Sequence, residues 1–225
     1  HGALRLFLGG PLPSETPTTV ESPEGAEVTR LGDNSGDGFG WFVAVTDVDG
    51  VPPLDIVAGS TGGEAPDGPG YTGHVEVFLG VDQGLPAELA DLNIGGEKSG
   101  DIFGMTIAGL GDVDGDGLSD MLVLAGRNDE LGVDVGLPYV VSGDPAVEMA
   151  KLDLPGEPAG SEGGRDVALI DDMNGDGHPE ALVGAPMADR LEMGNGANNV
   201  GDVALYWGDS GGHDPMPAHH MRGFT

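Results

Sequence analysis

The sequence predicts an all-β protein, a segment of a β-propeller made of four-stranded antiparallel blades. Short Val- and Ile-rich runs, the signature of strands, recur with a period of about sixty residues. An acidic, glycine-containing loop recurs at the same point of each repeat. Repeats of this length with four strands each are typical of propeller blades, and no segment favours a helix.

Each repeat contains four predicted strands, named A to D in chain order, with the acidic loop between A and B. The order along the 225 residues is C-D followed by three complete A-B-C-D units, which gives about three and a half blades. The predicted boundaries are 1–31 for the half blade and 32–94, 95–154 and 155–225 for the complete blades. Because a propeller closes with about four to eight blades, we expect this chain to pack against remaining blades of a longer chain.

The charge of the chain is strongly negative. Its 39 acidic residues outnumber 8 basic ones, for a net charge of −31, and it has no cysteine. Such a field repels nucleic acid and anionic lipid and attracts divalent cations. An acidic solubilising surface, as in halophiles, is an alternative explanation for the excess. No apolar run approaches the roughly 18 residues of a membrane span, so we expect no membrane insertion in this segment.

The acidic loops have the spacing of calcium ligands. Calcium binds six to eight oxygens, and alternate residues of a tight loop can supply them. The second loop offers carboxylates at positions 1, 3, 5 and 9 and a main-chain carbonyl at position 7: Asp112, Asp114, Asp116, Leu118 and Asp120. The third loop keeps this pattern with one amide: Asp172, Asn174, Asp176, His178 and Glu180. We therefore predict a Ca²⁺ site in each of these two loops.

The first loop is less complete. It has Asp47, Asp49 and Asp55, but Val51 stands at position 5 and two prolines stiffen the turn. The sequence therefore leaves a third Ca²⁺ site open. An EF-hand is excluded, because its loop needs a glutamate at position 12, where the second and third loops have valine. An acidic turn without metal is the alternative for all three loops.

Two short motifs connect these loops to a known family. Phe-Gly pairs at 39–40 and 103–104, and the string Val-Gly-Ala-Pro at 183–186, resemble the FG-GAP repeats of integrin α-subunit propellers. The third repeat departs from the pattern with Gly163-Gly164. The resemblance implies a seven-bladed propeller in the parent, calcium on the A–B hairpins, and an extracellular or cell-surface setting. It implies no particular ligand, since similar repeats occur in adhesion receptors, lectins and accessory domains of secreted enzymes.

The loops at the opposite end of the predicted blades are candidates for ligand binding. If the A–B hairpins lie on one face, then the long B–C loops lie on the other. Binding residues concentrate on such loops over a rigid scaffold. The candidates are Asp67, Tyr71, Arg127, Asn128, Arg190 and Asn195. Ordinary solvated loop residues are the alternative for each of them.

No consistent catalytic set emerges from the sequence. Residues 208–212 read Gly-Asp-Ser-Gly-Gly, similar to the nucleophile segment of chymotrypsin-like proteases, but they fall at a predicted C–D turn. We therefore expect a non-enzymatic propeller for recognition or adhesion, whose ligand is a protein or a glycan. The alternatives are an accessory or catalytic domain of a secreted carbohydrate-active enzyme, and a purely structural spacer.

Overall fold

The computed structural model contains only β-strands, turns and loops in the part of the chain that it describes. The described residues are 3–7, 27–32, 35–63, 70–81, 90–144, 146, 149–152, 163–188, 201–209, 212–213 and 216–222.

Within these ranges, sixteen strands form four propeller-like sheets and one small ladder. The first sheet has two strands, β1 (Ala3–Phe7) and β2 (Glu27–Leu31). The second has β3 (Phe39–Thr46), β4 (Asp55–Ser60), β5 (His74–Phe78) and β6 (Leu92–Gly95). The third has β7 (Phe103–Gly111), β8 (Asp120–Ala125), β9 (Leu137–Val141) and β10 (Ala150–Lys151). The fourth has β11 (Asp166–Ile170), β12 (Glu180–Ala185), β13 (Asp202–Tyr206) and β16 (His219–Arg222), while β14 (Gly208–Asp209) and β15 (Gly212–His213) form the ladder.

Every pairing within these sheets is antiparallel, and the second to fourth sheets are simple meanders. The A–B hairpins share one register at the acidic loops. The residue at loop position 9 opens the second strand of each hairpin and pairs with the last residue of the first strand: Thr46 with Asp55, Gly111 with Asp120, and Ile170 with Glu180. The three acidic loops are therefore equivalent connections.

The hydrophobic core lies between neighbouring sheets. One cluster joins the second and third sheets and includes Val57, Val77, Ile107 and Val123. Another joins the third and fourth sheets through Leu110, Leu122, Val183 and Tyr206. Strand β7 belongs to both contacts, since it packs on β3 and β4 on one side and on β11 on the other. Burial of these apolar side chains, each about 1.5–3 kcal/mol in transfer free energy for the aliphatic ones, is the main force that stacks the sheets.

The predicted fold class is confirmed: the described strands form three four-stranded antiparallel sheets, the two-stranded sheet of β1 and β2, and the small ladder of β14 and β15. The two-stranded sheet falls within the predicted half blade of residues 1–31. The exact blade boundaries stay a prediction. The described residues contain no helix with the length and hydrophobicity that a bilayer crossing requires.

Candidate metal centres and the opposite loop face

The three acidic loops lie side by side at one edge of the stacked sheets. A Cβ placed on Gly50 of the first loop would lie 2.7 Å from the carbonyl oxygen of Gly117 in the second. The ring nitrogen Nδ1 of His178 in the third loop lies 3.0 Å from the carbonyl oxygen of Val113 in the second. Each loop therefore touches its neighbour on the next sheet.

Three acidic groups converge in each loop. Within each group, one ligand oxygen per residue lies within 4.8 Å of the others. The groups are Asp47, Asp49 and Asp55; Asp112, Asp114 and Asp116; and Asp172, Asp176 and Glu180. Carboxylates held this close repel one another, and the repulsion favours a bound cation.

The second loop is wound around the carboxylate of Asp112. Its two oxygens accept hydrogen bonds from the backbone N–H groups of Gly115 and Gly117, at 2.7 and 3.0 Å. These glycines have φ of +81° and +92°, a region that other residues adopt at a cost. Asp114 and Asp116 accept the N–H groups of the residues two positions on, at 3.1 and 2.8 Å. The sequence thus shapes the loop around its acidic side chains.

The third loop repeats this geometry. Asp172 accepts the N–H groups of Gly175 and Gly177, at 2.6 and 2.8 Å. The side-chain amide of Asn174 donates to Asp176 at 2.8 Å. The backbone N–H of His178, followed by this amide, holds the pKa of Asp176 below its usual value. These contacts favour the ionised form of the Asp176 carboxylate.

The position-9 residues have a role that the sequence did not reveal. Asp55, Asp120 and Glu180 are almost completely buried. Each accepts the N–H of the second loop residue: Val48 at 2.6 Å, Val113 at 2.8 Å and Met173 at 2.7 Å. Asp55 and Asp120 also accept an N–H from the end of the third strand, Gly80 at 2.7 Å and Gly143 at 3.3 Å. These carboxylates close the loops onto their own sheets.

The predicted carboxylate ligands of the second loop are therefore of two kinds, one buried and three more exposed. The oxygens of Asp120 are not among those that converge there, and both of them accept backbone N–H groups. Burial raises the pKa of Asp120 to about 6. The converging oxygens belong to the more exposed Asp112, Asp114 and Asp116. Leu118 and His178 lie in their loops at position 7 as predicted, and the role of their carbonyls stays a prediction.

Two carboxylate oxygens in these loops lack a hydrogen-bond donor among the described residues. Oδ1 of Asp47 and Oε1 of Glu180 are buried and have no hydrogen-bond partner among the described residues. A buried oxygen without a donor is costly and invites a cation or a water. The first and third loops each contain one such atom within their acidic group, so the donor set suits a hard divalent ion.

Three of the six residues predicted to bind a ligand on the opposite face lie in the described part of the chain. Tyr71 and Arg127 are exposed there. Asn128 is fully buried, so its side chain is not presented at the surface, and its contact with a ligand stays a prediction. Asp67, Arg190 and Asn195 lie outside the described residues.

Asn128 instead holds the loop that carries Arg127. Its side-chain amide donates to Asp101 at 2.5 Å, and its side-chain oxygen accepts the N–H of Glu130 at 2.8 Å. The backbone N–H of Arg127 donates to the carbonyl of Asp101 at 3.0 Å. Burial raises the pKa of Asp101 against the opposing effect of the Asn128 amide. This network fixes the B–C loop of the third sheet onto the preceding D–A connection.

Ion pairs brace the same region. Lys151 lies 2.8 Å from a carboxylate oxygen of Glu97 and 3.0 Å from one of Glu130. Lys98 lies 3.3 Å from the same Glu130 oxygen. Both lysines of the chain therefore serve this part of the loop face.

A cleft of about 690 Å³ opens beside this braced loop. Its lining includes Arg127, which the sequence singled out, and side chains that it did not: Trp41, Thr61, Ile102, Met105 and Asp134. One feature of the sequence could have pointed to Trp41, namely that it is a large aromatic residue at the start of a predicted strand. The strand pattern alone could not show that its ring is left 67% exposed.

Comparison with known proteins agrees with these repeats. The family model of the FG-GAP repeat matches residues 163–206, which contain the third acidic loop. Integrin alpha-4 of Xenopus laevis is 29% identical over 154 residues, or 68% of this chain and 14% of that protein. Integrin alpha-E of Mus musculus is 31% identical over 134 residues, or 57% of this chain and 11% of that protein. The chain thus spans a small part of these relatives, and its resemblance to the FG-GAP repeat, integrin α-like β-propellers is confirmed.

Proposed function

We propose that this chain is a calcium-binding, non-enzymatic propeller segment for extracellular recognition or adhesion. Ca²⁺ would brace the A–B hairpins, and the opposite loop face would bind the ligand. The observation that carries the metal assignment is the convergence of three acidic groups at equivalent hairpins, two of which include a buried oxygen without a partner among the described residues. Similarity to integrin α subunits supports the adhesion-type role and the cell-surface setting.

The residues that would hold the ion follow from the clusters. Asp112, Asp114 and Asp116 would hold it in the second loop, and the group of Asp172, Asp176 and Glu180 in the third. The first loop would use its three aspartates, with fewer side-chain ligands because Val51 offers none. A bound cation supplies neutralisation of the clustered charge, which turns a self-repelling loop into a rigid corner. The loops need no further chemistry for this structural role.

The second part of the proposal is that this chain packs against further blades of a longer chain. Val43 of β3 occupies the same place in its hairpin as Ile107 of β7, since they pair with Ala58 and Val123. Ile107 is 2% exposed because the second sheet covers it, whereas Val43 is 44% exposed and Val45 is 58% exposed. These two exposed valines, which follow the register shift between Phe39 and Val43, support packing against another blade of a longer chain.

Calcium titration tests the metal assignment. The melting temperature should rise as Ca²⁺ is added to chelator-treated protein, with a stabilisation of about 2.7 kcal/mol at one hundred times the dissociation constant. NaCl at matched ionic strength is the control, because any salt screens a net charge of −31. A calcium response no larger than that of NaCl would contradict the proposal.

A pair of neighbouring variants sharpens this experiment. Asp172→Ala removes the carboxylate that organises the third loop, and Asp112→Ala does the same in the second. Asp171→Ala removes an equal charge from an exposed residue outside the acidic group. We expect Asp172→Ala and Asp112→Ala to lose a large part of the calcium gain and Asp171→Ala to retain it.

A further inference from the structure

The cleft on the loop face has an apolar floor. The floor combines the exposed indole of Trp41 with Ile102 and Met105. Gly126 makes room for this arrangement, because a Cβ there would lie 2.3 Å from the sulfur of Met105. The backbone N–H of Trp41 donates to the carbonyl of Gly38 at 3.0 Å, which anchors the strand end that carries the ring. These contacts hold the backbone at Trp41 and Gly126 in place beside the apolar side chains.

The polar groups of the cleft have both signs of charge. Arg127 and Asp134 are exposed and line it together with Thr61. Among the described residues, neither the guanidinium of Arg127 nor the carboxylate of Asp134 has a hydrogen-bond or ion-pair partner. Guanidinium groups only donate, carboxylates only accept, and hydroxyls do both. The cleft therefore offers donors and acceptors above an aromatic surface.

The polar wall is also held in place by backbone contacts. Asp134 has φ of +50°, and its N–H donates to the side chain of Asp129 at 2.7 Å. The backbone of Arg127 is held by the buried network of Asn128 and Asp101 described above. Ligand sites of this size typically combine a rigid apolar surface with a few convergent polar groups.

We propose that this cleft binds a neutral saccharide unit of a glycan, which names the ligand class for the loop face and rests on the proposed function. One face of a pyranose ring is made of C–H groups and can lie flat on the indole of Trp41. Its hydroxyls both donate and accept, so one sugar unit satisfies Arg127 and Asp134 together.

The charges of the chain favour a neutral saccharide over charged glycans and charged peptides. A polyanionic glycan or an acidic peptide would be repelled by a net charge of −31. A cationic peptide would be attracted by that field, but the positive charge of Arg127 in the cleft lining opposes a second cation there. A neutral sugar avoids both conflicts.

The first experiment asks which ligand class binds. The 225-residue chain, in calcium buffer, is applied to an array of neutral oligosaccharides, uronate and sulfated oligosaccharides, and acidic and basic peptides. Binding to neutral oligosaccharides supports the proposal. Binding only to charged glycans or only to peptides, or binding to nothing on the array, overturns it.

The second experiment places the binding at the cleft. Trp41 and Trp207 are the two tryptophans of the chain, so a Trp207→Phe background leaves Trp41 as the emitter. Titration with the neutral oligosaccharide bound on the array should change its fluorescence. In calorimetric titrations, Trp41→Ala, Arg127→Ala and Asp134→Asn should each weaken binding about tenfold, which equals about 1.4 kcal/mol. Trp41→Phe should restore part of the loss.

Two controls keep the outcome clear. Val133→Ala changes an exposed apolar residue that does not line the cleft, so it should bind like the unchanged chain. Because Trp41 is exposed, Trp41→Ala should melt at the same temperature, and undiminished binding by this variant overturns the proposal. The calcium gain is measured on the same samples. A retained calcium gain without saccharide binding rejects this inference alone, whereas a missing calcium gain rejects the metal proposal.

Discussion

The ring nitrogen Nδ1 of His178 donates to the carbonyl oxygen of Val113 across the boundary between the third and fourth sheets, at 3.0 Å. Val113 is fully buried and lies between Asp112 and Asp114, two of the converging acidic residues of the second loop. His178 itself stands at position 7 of the third loop. One side chain thus connects two candidate metal loops on neighbouring blades.

Replacing this histidine should loosen the contact between the two sheets. We expect His178→Ala to lower the free energy of unfolding by about 1 kcal/mol, because a carbonyl in a part-buried site loses its donor. Denaturant unfolding in the presence of chelator measures the change. Met173→Ala, in the same loop but 58% exposed, is the matched control and should have little effect. Equal stability of the two variants would show that the contact contributes nothing.

The buried and the exposed acidic residues of the second loop should differ in how their replacement affects stability with and without calcium. Asp120→Ala leaves the N–H groups of Val113 and Gly143 without their partner in a buried site. We expect it to destabilise the chain by about 2 kcal/mol with or without calcium. Asp116→Ala alters an exposed residue and should cost little in chelator, but it should reduce the gain from calcium. Identical behaviour of both variants in chelator and in calcium would contradict this division.

The strands could be predicted from the sequence because their pattern is local. Period-2 runs bounded by glycine, repeated at one spacing, located the hairpins that the structure contains. The acidic loops were found for the same reason, since their ligands lie within nine residues of one another. Local patterns of this kind need no knowledge of the tertiary contacts.

The loop face could not be predicted to the same depth. Asn128 and Arg127 are adjacent in sequence, yet one is fully buried and the other exposed, because Asp101 from another sheet connection takes the amide. The cleft likewise joins Trp41 with Arg127 and Asp134, and both of these residues lie far from Trp41 in the sequence. Such neighbours depend on how the sheets stack, which composition and spacing do not encode.

Asp101 gives the fold a predictable response to pH. Burial raises its pKa in the folded chain above the unfolded value of 3.8. Between these two values the unfolded chain has lost the proton and the folded chain still binds it, so this group's contribution to stability falls as pH rises. Asp101→Asn should therefore flatten the decline of stability with pH that begins near 3.8 and ends at the raised pKa.

Denaturant unfolding at a series of pH values in constant salt measures this effect. Glu130 has a lowered pKa because of Lys151 and Lys98, so its contribution has the opposite sign and is largely screened at the surface. Glu130→Gln is therefore a suitable comparison variant, and it should not flatten the decline. A pH profile that Asp101→Asn leaves unchanged would show that the buried carboxyl is not responsible.

The first acidic loop allows a gain-of-function test of the metal assignment. Val51 stands where the second loop has Asp116 and the third has Asp176, and its side chain is 61% exposed. Val51→Asp supplies the missing position-5 carboxylate beside Asp47, Asp49 and Asp55. In chelator the added charge should slightly lower the melting temperature, because it increases the repulsion among the carboxylates.

With calcium the sign of this effect should reverse. An additional carboxylate ligand raises the affinity of an oxygen site for Ca²⁺, so the calcium gain in melting temperature should exceed that of the unchanged chain. Val51→Asn is the matched control, since it offers an oxygen of similar position without the charge, and its gain should be intermediate. Calorimetric titration should show the strengthened site directly. If Val51→Asp gains no more from calcium than the unchanged chain, the first loop does not bind the ion through its side-chain carboxylates.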